Sequence, residues 1–200
     1  MGHREDLLEG AKRCLLEKGF VRTTARDIVK ESGTNLASIG YHYGSKDALL
    51  VKAYVALIEE TGDRFDPGAD TRATAAAGSL ERFREVWASV IRALPESRAV
   101  WMLSLELILQ GDRMPEVRTL LSEAQEQGRS GMIPLFSGIP EDELDKETVA
   151  TEGRFYQTLL QGLMMQWIFE PGSATDADQL TEGLRRVMEA AAKSQDESQS

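Results

Sequence analysis

The chain has 200 residues, 42% of them hydrophobic and 28% charged, with a formal net charge of −10 and an isoelectric point near 4.8. That is enough apolar material for one domain of ordinary size, or a small domain joined to a larger one, and the acidic balance excludes a general polyanion binder. The lone Cys14 excludes an internal disulfide and a cysteine-based zinc site. No stretch approaches the roughly 18 apolar residues of a membrane span. The opening MGHREDLLEG lacks the apolar segment of a secretory signal, so a cytoplasmic protein is expected.

Taken in order, the elements read as helices almost throughout; only "IGYHY" carries any strand-like ambiguity. A first helix is predicted over residues 4–18, with Leu7, Ala11, Cys14 and Leu15 on one stripe and a stop at Gly19–Phe20. A short second helix starts after Thr24, where "TARD" forms a capping-box variant, and ends at Gly33. Asn35 caps a third, about 36–42; Gly44 breaks it, and Ser45 caps a long fourth helix running to about Glu60. Residues 62–79, rich in Gly and small side chains, mark the boundary between a head and a larger body. Body helices are expected near 80–94, 95–110, 114–136, 148–170 and 176–193. The domains are thus 1–50, 51–193 and a disordered tail, 194–200.

The charge is uneven. Residues 1–50 carry eight Lys and Arg against seven Asp and Glu, while the remainder carries fifteen against twenty-six. Two short helices joined at a tight glycine turn and buttressed by a first helix make a helix-turn-helix, whose second helix enters the DNA major groove. Ser38, Tyr41, His42 and Lys46 then fall along one side of the third helix and the cap after it, and all four side chains donate hydrogen bonds to phosphate oxygens. Small residues, Ala37 and Gly40, let the backbone approach, and the N–H groups behind Ser45 form an anion site. His42 has a plainer alternative as a packed or exposed imidazole. A metal or catalytic role lacks partners, because the other histidine is His3 at the N-terminus.

The stretch "GFVRTTARDIVKESGTNLASIGYHYGSKDALL" resembles the DNA-binding head of the TetR/AcrR family of bacterial repressors. The similarity covers about the first fifty residues: the GF-x-x-TT start, the short turn helix, then Tyr41-His42-Tyr43-x-Ser45-Lys46-Asp47-x-Leu49. The resemblance implies an all-α dimer that binds a palindromic double-stranded operator and releases it when a small molecule enters the body, with no cofactor. It implies DNA contacts from Arg26, Asn35, Ser38, Tyr41, His42 and Lys46, to which Thr24 and Gly40 are added; Gly40 stands where many members carry a tyrosine. Tyr43 matches an aromatic core position.

In the body, "FYQTLLQGLMMQWIF" (155–169) has no charge and is apolar nearly all round, so it must be covered on every side. A face of Tyr156, Leu160, Met164 and Trp167, joined by Leu180, Leu184, Val187 and Met188, is the expected homodimer interface; a buried central helix of a monomer is the alternative. Trp87, Trp101, Met102, Leu105, Met132, Phe136, Phe155 and Leu159 are candidate linings of an effector cavity, or simply core. Glu106, alone in the uncharged run "WMLSLELILQG", must be exposed, paired or used; exposure on an outer face is the first expectation, and it stays in the candidate ligand set. The leading reading is a transcriptional repressor released by a hydrophobic or amphipathic ligand. An enzyme fails for lack of a phosphate loop, clustered ligands or an activated nucleophile. A helical interaction module without DNA binding remains as the alternative.

Overall fold

Local hydrogen bonds decide where each helix starts and stops. In the computed structural model, which describes residues 2–62 and 75–198, all regular structure is helical. Helix α1 (His3–Lys18) buries Leu7, Ala11, Cys14 and Leu15, the predicted stripe. Helix α2 (Ala25–Ser32) opens on the Thr24–Asp27 capping box. It closes at Gly33, whose φ of 68° and ψ of 19° lie in the left-handed region open to glycine. Helix α3 (Leu36–Tyr43) is capped by Asn35, whose side chain accepts from the Ser38 N–H. Helix α4 (Lys46–Gly62) begins where Ser45 Oγ accepts from Ala48 N at 3.0 Å. α1 and α2 pack closely at Gly10, where a Cβ would lie 2.8 Å from Ser32 Cβ.

The later helices are α5 (Leu80–Ala93), α6 (Arg98–Gly111), α7 (Pro115–Gln127), α8 (Ile133–Ser137), a short α9 (Lys146–Thr148), α10 (Arg154–Phe169) and α11 (Ala177–Ser198). A π turn, Val149–Gly153, joins α9 to α10. Two expectations change. The helix expected over 114–136 is broken between Gln127 and Ile133. Gly128 and Gly131 weaken a helix, and Pro134 lacks the N–H that an interior turn requires but suits a first turn. The tail expected to be disordered from 194 is helical to Ser198, because no Gly or Pro ends α11. Most of the predicted boundary, 62–79, lies outside the described residues.

The chain forms two compact units. One comprises the described residues of Met1–Asp63 together with Glu96–Gly128; the other, those of Arg64–Pro95 with Arg129–Ser200. The first is wider than the expected head. Leu7, Leu15, Phe20, Ile28, Ile39, Leu49 and Leu50 share one apolar core with Val100, Leu103 and Leu107 of α6 and Val117 of α7. A head of fifty residues exposes too much of its own apolar surface, and the returning helices cover it. The second unit is built on an aromatic cluster: Phe83 and Trp87 of α5, Phe136 of α8 and Tyr156 of α10, with the Phe136 and Tyr156 rings stacked 3.9 Å apart. Helix α11 packs on α5. Among the described residues no helix is long and apolar enough to cross a membrane.

Leu107 is fully buried in the first unit's core. Leu107→Ala is expected to cost about 2–5 kcal/mol of stability and to lower the hydrogen-exchange protection of α1 amides. Unchanged α1 protection would show that residues 1–62 fold without α6.

Candidate nucleic-acid interface

Capping fixes which way α3 faces. Its outward side carries Asn35, Leu36, Ala37, Gly40 and Tyr41, all exposed, while Ser38 and Ile39 turn into the core. Tyr41 is 86% exposed, which leaves its ring and hydroxyl open to a partner. The half-buried His42 sits edge-on to it, with the ring centres 4.8 Å apart. A Cβ at Gly40 would meet nothing within 4 Å, so the backbone there is open to close approach. Tyr43 donates its hydroxyl to Arg4 O at 2.7 Å and ties α3 to α1, the structural role expected of it.

The predicted contact residues do not stand equally free. Arg26 is exposed on the first turn of α2. Thr24 is exposed but occupied: its N–H and hydroxyl both donate to Asp27 Oδ2, at 2.9 and 2.7 Å, and the hydroxyl accepts from Asp27 N. Ser38 departs from expectation. It is only 9% exposed, and its N–H and hydroxyl both donate to Asn35 Oδ1, at 3.1 and 3.2 Å. Its role here is to hold the N-cap rather than to face outward. Lys46 is half-buried: Nζ lies 2.8 Å from the Asp47 carboxylate, donates to Thr23 O at 3.3 Å and sits 5.5 Å from the centre of the Phe20 ring. Asp27 also accepts from Lys18 Nζ at 2.7 Å. That bond, with the Thr24 hydroxyl and N–H, holds the Asp27 carboxyl well below the usual carboxylate range.

Two residues that matter to this surface were not in the predicted contact set. Thr23 is buried and donates its hydroxyl to Gly19 O at 2.6 Å and Cys14 O at 3.2 Å, which closes the turn between α1 and α2. Glu106 is half-buried and paired rather than exposed on an outer face. Its carboxylate accepts from the N–H groups of Phe20 and Val21, at 3.0 and 2.9 Å. The signal for it was present in the sequence as one charge in an apolar run, but its partners are 85 and 86 residues away.

The candidate effector residues are spread over both units. Trp101, Met102 and Leu105 belong to the first; Trp87, Met132, Phe136, Phe155 and Leu159 belong to the second. Trp87, Trp101 and Phe136 are buried, and Trp87 Nε1 has no hydrogen-bond acceptor among the described residues. Met102 and Phe155 are exposed. A depression of about 320 Å³ in the second unit is lined instead by Arg84, Ala88, Ile91, Arg92 and 176–178. Another of about 200 Å³ in the first lies between α6 and α7 beside Ile108 and Arg118. Of the expected dimer face, Met164 is buried and Tyr156 stacks inward on Phe136. That side of α10 is therefore consumed by its own chain. Leu160, Trp167, Leu180 and Leu184 are half-buried. The open apolar residues are Phe155, Met165 and Phe169 (80% exposed) on α10, with Val187 and Met188 on α11.

Comparison with known proteins gives two family matches. Residues 7–53 match the bacterial regulatory proteins of the tetR family, and residues 79–193 match the C-terminal part of BetI-type transcriptional repressors. The HTH-type transcriptional repressor AcnR of Corynebacterium efficiens is 31% identical over 108 residues, 49% of this chain and 55% of that protein. The HTH-type transcriptional regulator PksA of Bacillus subtilis (strain 168) is 33% identical over 61 residues, 30% of each chain. The chain thus spans about half or less of the length of these curated relatives. Among solved structures, SCO7518 of Streptomyces coelicolor A3(2) superposes with a TM-score of 0.66 at 23% identity, over 92% of this chain and 97% of that one. The multidrug binding protein EbrR complexed with proflavin gives 0.58 at 22%, over 92% and 99%. These likenesses show the fold.

The capping box predicts an acid response. Asp27 has a folded-state pKa below its ordinary value of 3.8, so its contribution to stability is present above that value and is lost as the pH falls toward the folded pKa. In urea unfolding, the loss of stability between about pH 5 and about pH 3 is expected to be shallower in Asp27→Asn than in the wild type. Parallel acid limbs would show that the box contributes nothing.

Proposed function

We propose that this chain, which belongs to the tetR family of bacterial regulatory proteins, is a DNA-binding transcriptional repressor that works in the cytoplasm as a homodimer and leaves its operator when a small molecule binds. The observation that carries this reading is the outward face of α3. Tyr41 stands clear of the fold, Gly40 and Ala37 leave the backbone accessible, and the helix is anchored behind by Ile39 and Tyr43. A helix held this way presents its side chains to a major groove without reorganising, and phosphate contacts from the flanking residues set its register.

The acidic chain opposes DNA, so the few bases of the head must act in pairs from two copies. About four phosphate contacts from each head give a log–log salt slope between about −3 and −7, since hydroxyl and amide donors release no counterions. DNA selected from a random pool supplies the probe. Arg26→Ala is expected to change base preference, and Lys46→Ala, which removes one cation from each head of the dimer, to weaken all sequences alike and reduce the slope by about 2. Binding independent of salt, or no selected sequence, would leave the helical interaction module as the reading.

A second copy is the proposed cover for the open apolar residues of α10 and α11. These residues are solvated in a single chain, so a charge there leaves the monomer fold intact, but a dimer would bury it unpaired. Phe169→Glu and Met165→Glu are therefore expected to give folded monomers by light scattering, with operator affinity at least about tenfold lower because one half-site is lost. Dimers of wild-type stability would move the interface elsewhere. For the effector, the aromatic residues gathered in the second unit support a hydrophobic or amphipathic ligand.

A further inference from the structure

We propose that Glu106 is a positioning residue for DNA binding: its carboxylate clasps the turn between α1 and α2 and so fixes the DNA-reading helices to α6. The proposal rests on the reading of the chain as a DNA-binding regulator. Helix α1 ends when Gly19 N donates to Leu15 O at 2.9 Å, and α2 does not start until Ala25. The N–H groups of Phe20 and Val21 therefore fall outside both helices, and that of the buried Phe20 needs an acceptor within the protein. Glu106 supplies one oxygen to each, Oε2 to Phe20 at 3.0 Å and Oε1 to Val21 at 2.9 Å. Charge-assisted pairs of this kind are short and directional.

Gly19 is built around the same contact. A Cβ at that position would lie 2.7 Å from Glu106 Oε2, and its φ of 78° separately excludes most side chains. From the turn, two connections lead to the reading surface. Phe20, buried against the core, has the Lys46 amine 5.5 Å from its ring centre. Thr23 ties its hydroxyl back to Gly19 O and Cys14 O, and its carbonyl accepts from Lys46 Nζ. The turn thus sets the start of α2 and the start of α4 at once, and α3 is strung between them. A shift of α6 would reach the head through this clasp as well as along α4.

The test uses the full-length protein and DNA that the wild type selects from a random pool. Glu106→Gln keeps the shape, but an amide accepts at one atom only and turns an NH2 toward a backbone N–H. Glu106→Asp keeps the charge and withdraws it by one methylene. Both are expected to speed hydrogen exchange at the Phe20 and Val21 amides about tenfold or more and to weaken selected DNA about tenfold. Affinity for unrelated DNA is expected to stay within about twofold. A residue that merely stabilised the fold would lower both affinities together. If Glu106→Gln does not fold, Glu106→Asp carries the same comparison. Selected-DNA affinity equal to wild type in either variant overturns the proposal, as does unchanged exchange at the two amides. If the wild type selects no sequence, the DNA-binding reading itself fails and takes the proposal with it. Normal selection by the wild type with indifferent variants removes the clasp alone.

Discussion

Two backbone N–H groups in the turn after α1 lie outside any helix, and the first unit supplies them with a single acceptor from far along the chain. The chain cannot serve them locally, because α1 has ended and α2 has not begun. The carboxylate of Glu106 meets the demand from α6. The apolar side of the same helix, Val100, Leu103 and Leu107, lies in one core with Leu7, Leu15 and Phe20. Burial of that shared surface then holds α6 in place far more strongly than two hydrogen bonds could. The hydrogen bonds set the register, and the apolar core supplies the stability.

The same economy governs the DNA-facing surface. The first fifty residues carry nearly balanced charge, and several of their cations are already paired: Lys12 with Glu9 and Glu60, Lys18 with Asp27, Lys46 with Asp47. Lys12 is buried, whereas the partly exposed pairs of Lys18 and Lys46 contribute little to stability and remain available for exchange with phosphates. Recognition by such a head depends more on a rigid, correctly aimed helix than on attraction at a distance. Anchoring of α3 by Ile39, Tyr43 and the Asn35–Ser38 cap provides that rigidity.

The second unit is organised by aromatic packing. Tyr156 lies flat on Phe136, which in turn packs against Phe83 and Trp87. This stacking rotates α10 so that Met164 points inward and Phe155, Met165 and Phe169 point away from the chain's own core. Burial also lifts the Tyr156 hydroxyl to a pKa of about 12, which keeps it neutral across the physiological range.

Much of this was legible in the sequence, and the legible part is local. The Thr24–Asp27 box, the Asn35 and Ser45 caps and the stop at Gly33 act over three or four residues, so reading the chain in order finds them. The stripe on α1 follows from helical period alone, and the head's resemblance to a known family follows from a contiguous motif. What the sequence did not decide is every choice that depends on a distant partner. A helix apolar all round, such as 155–169, has no preferred inward side until the Phe136 ring selects one. Ser38 reads as a donor on a recognition helix until its neighbour's cap claims it. The break after Gln127 lay in glycines that periodicity outweighed. Glu106 could be seen to need a partner, but a one-dimensional reading has no means of bringing it to a turn more than eighty residues earlier. Hydrogen bonds within one helical turn are fixed by covalent spacing, whereas those across the core exist only after the apolar surfaces have met.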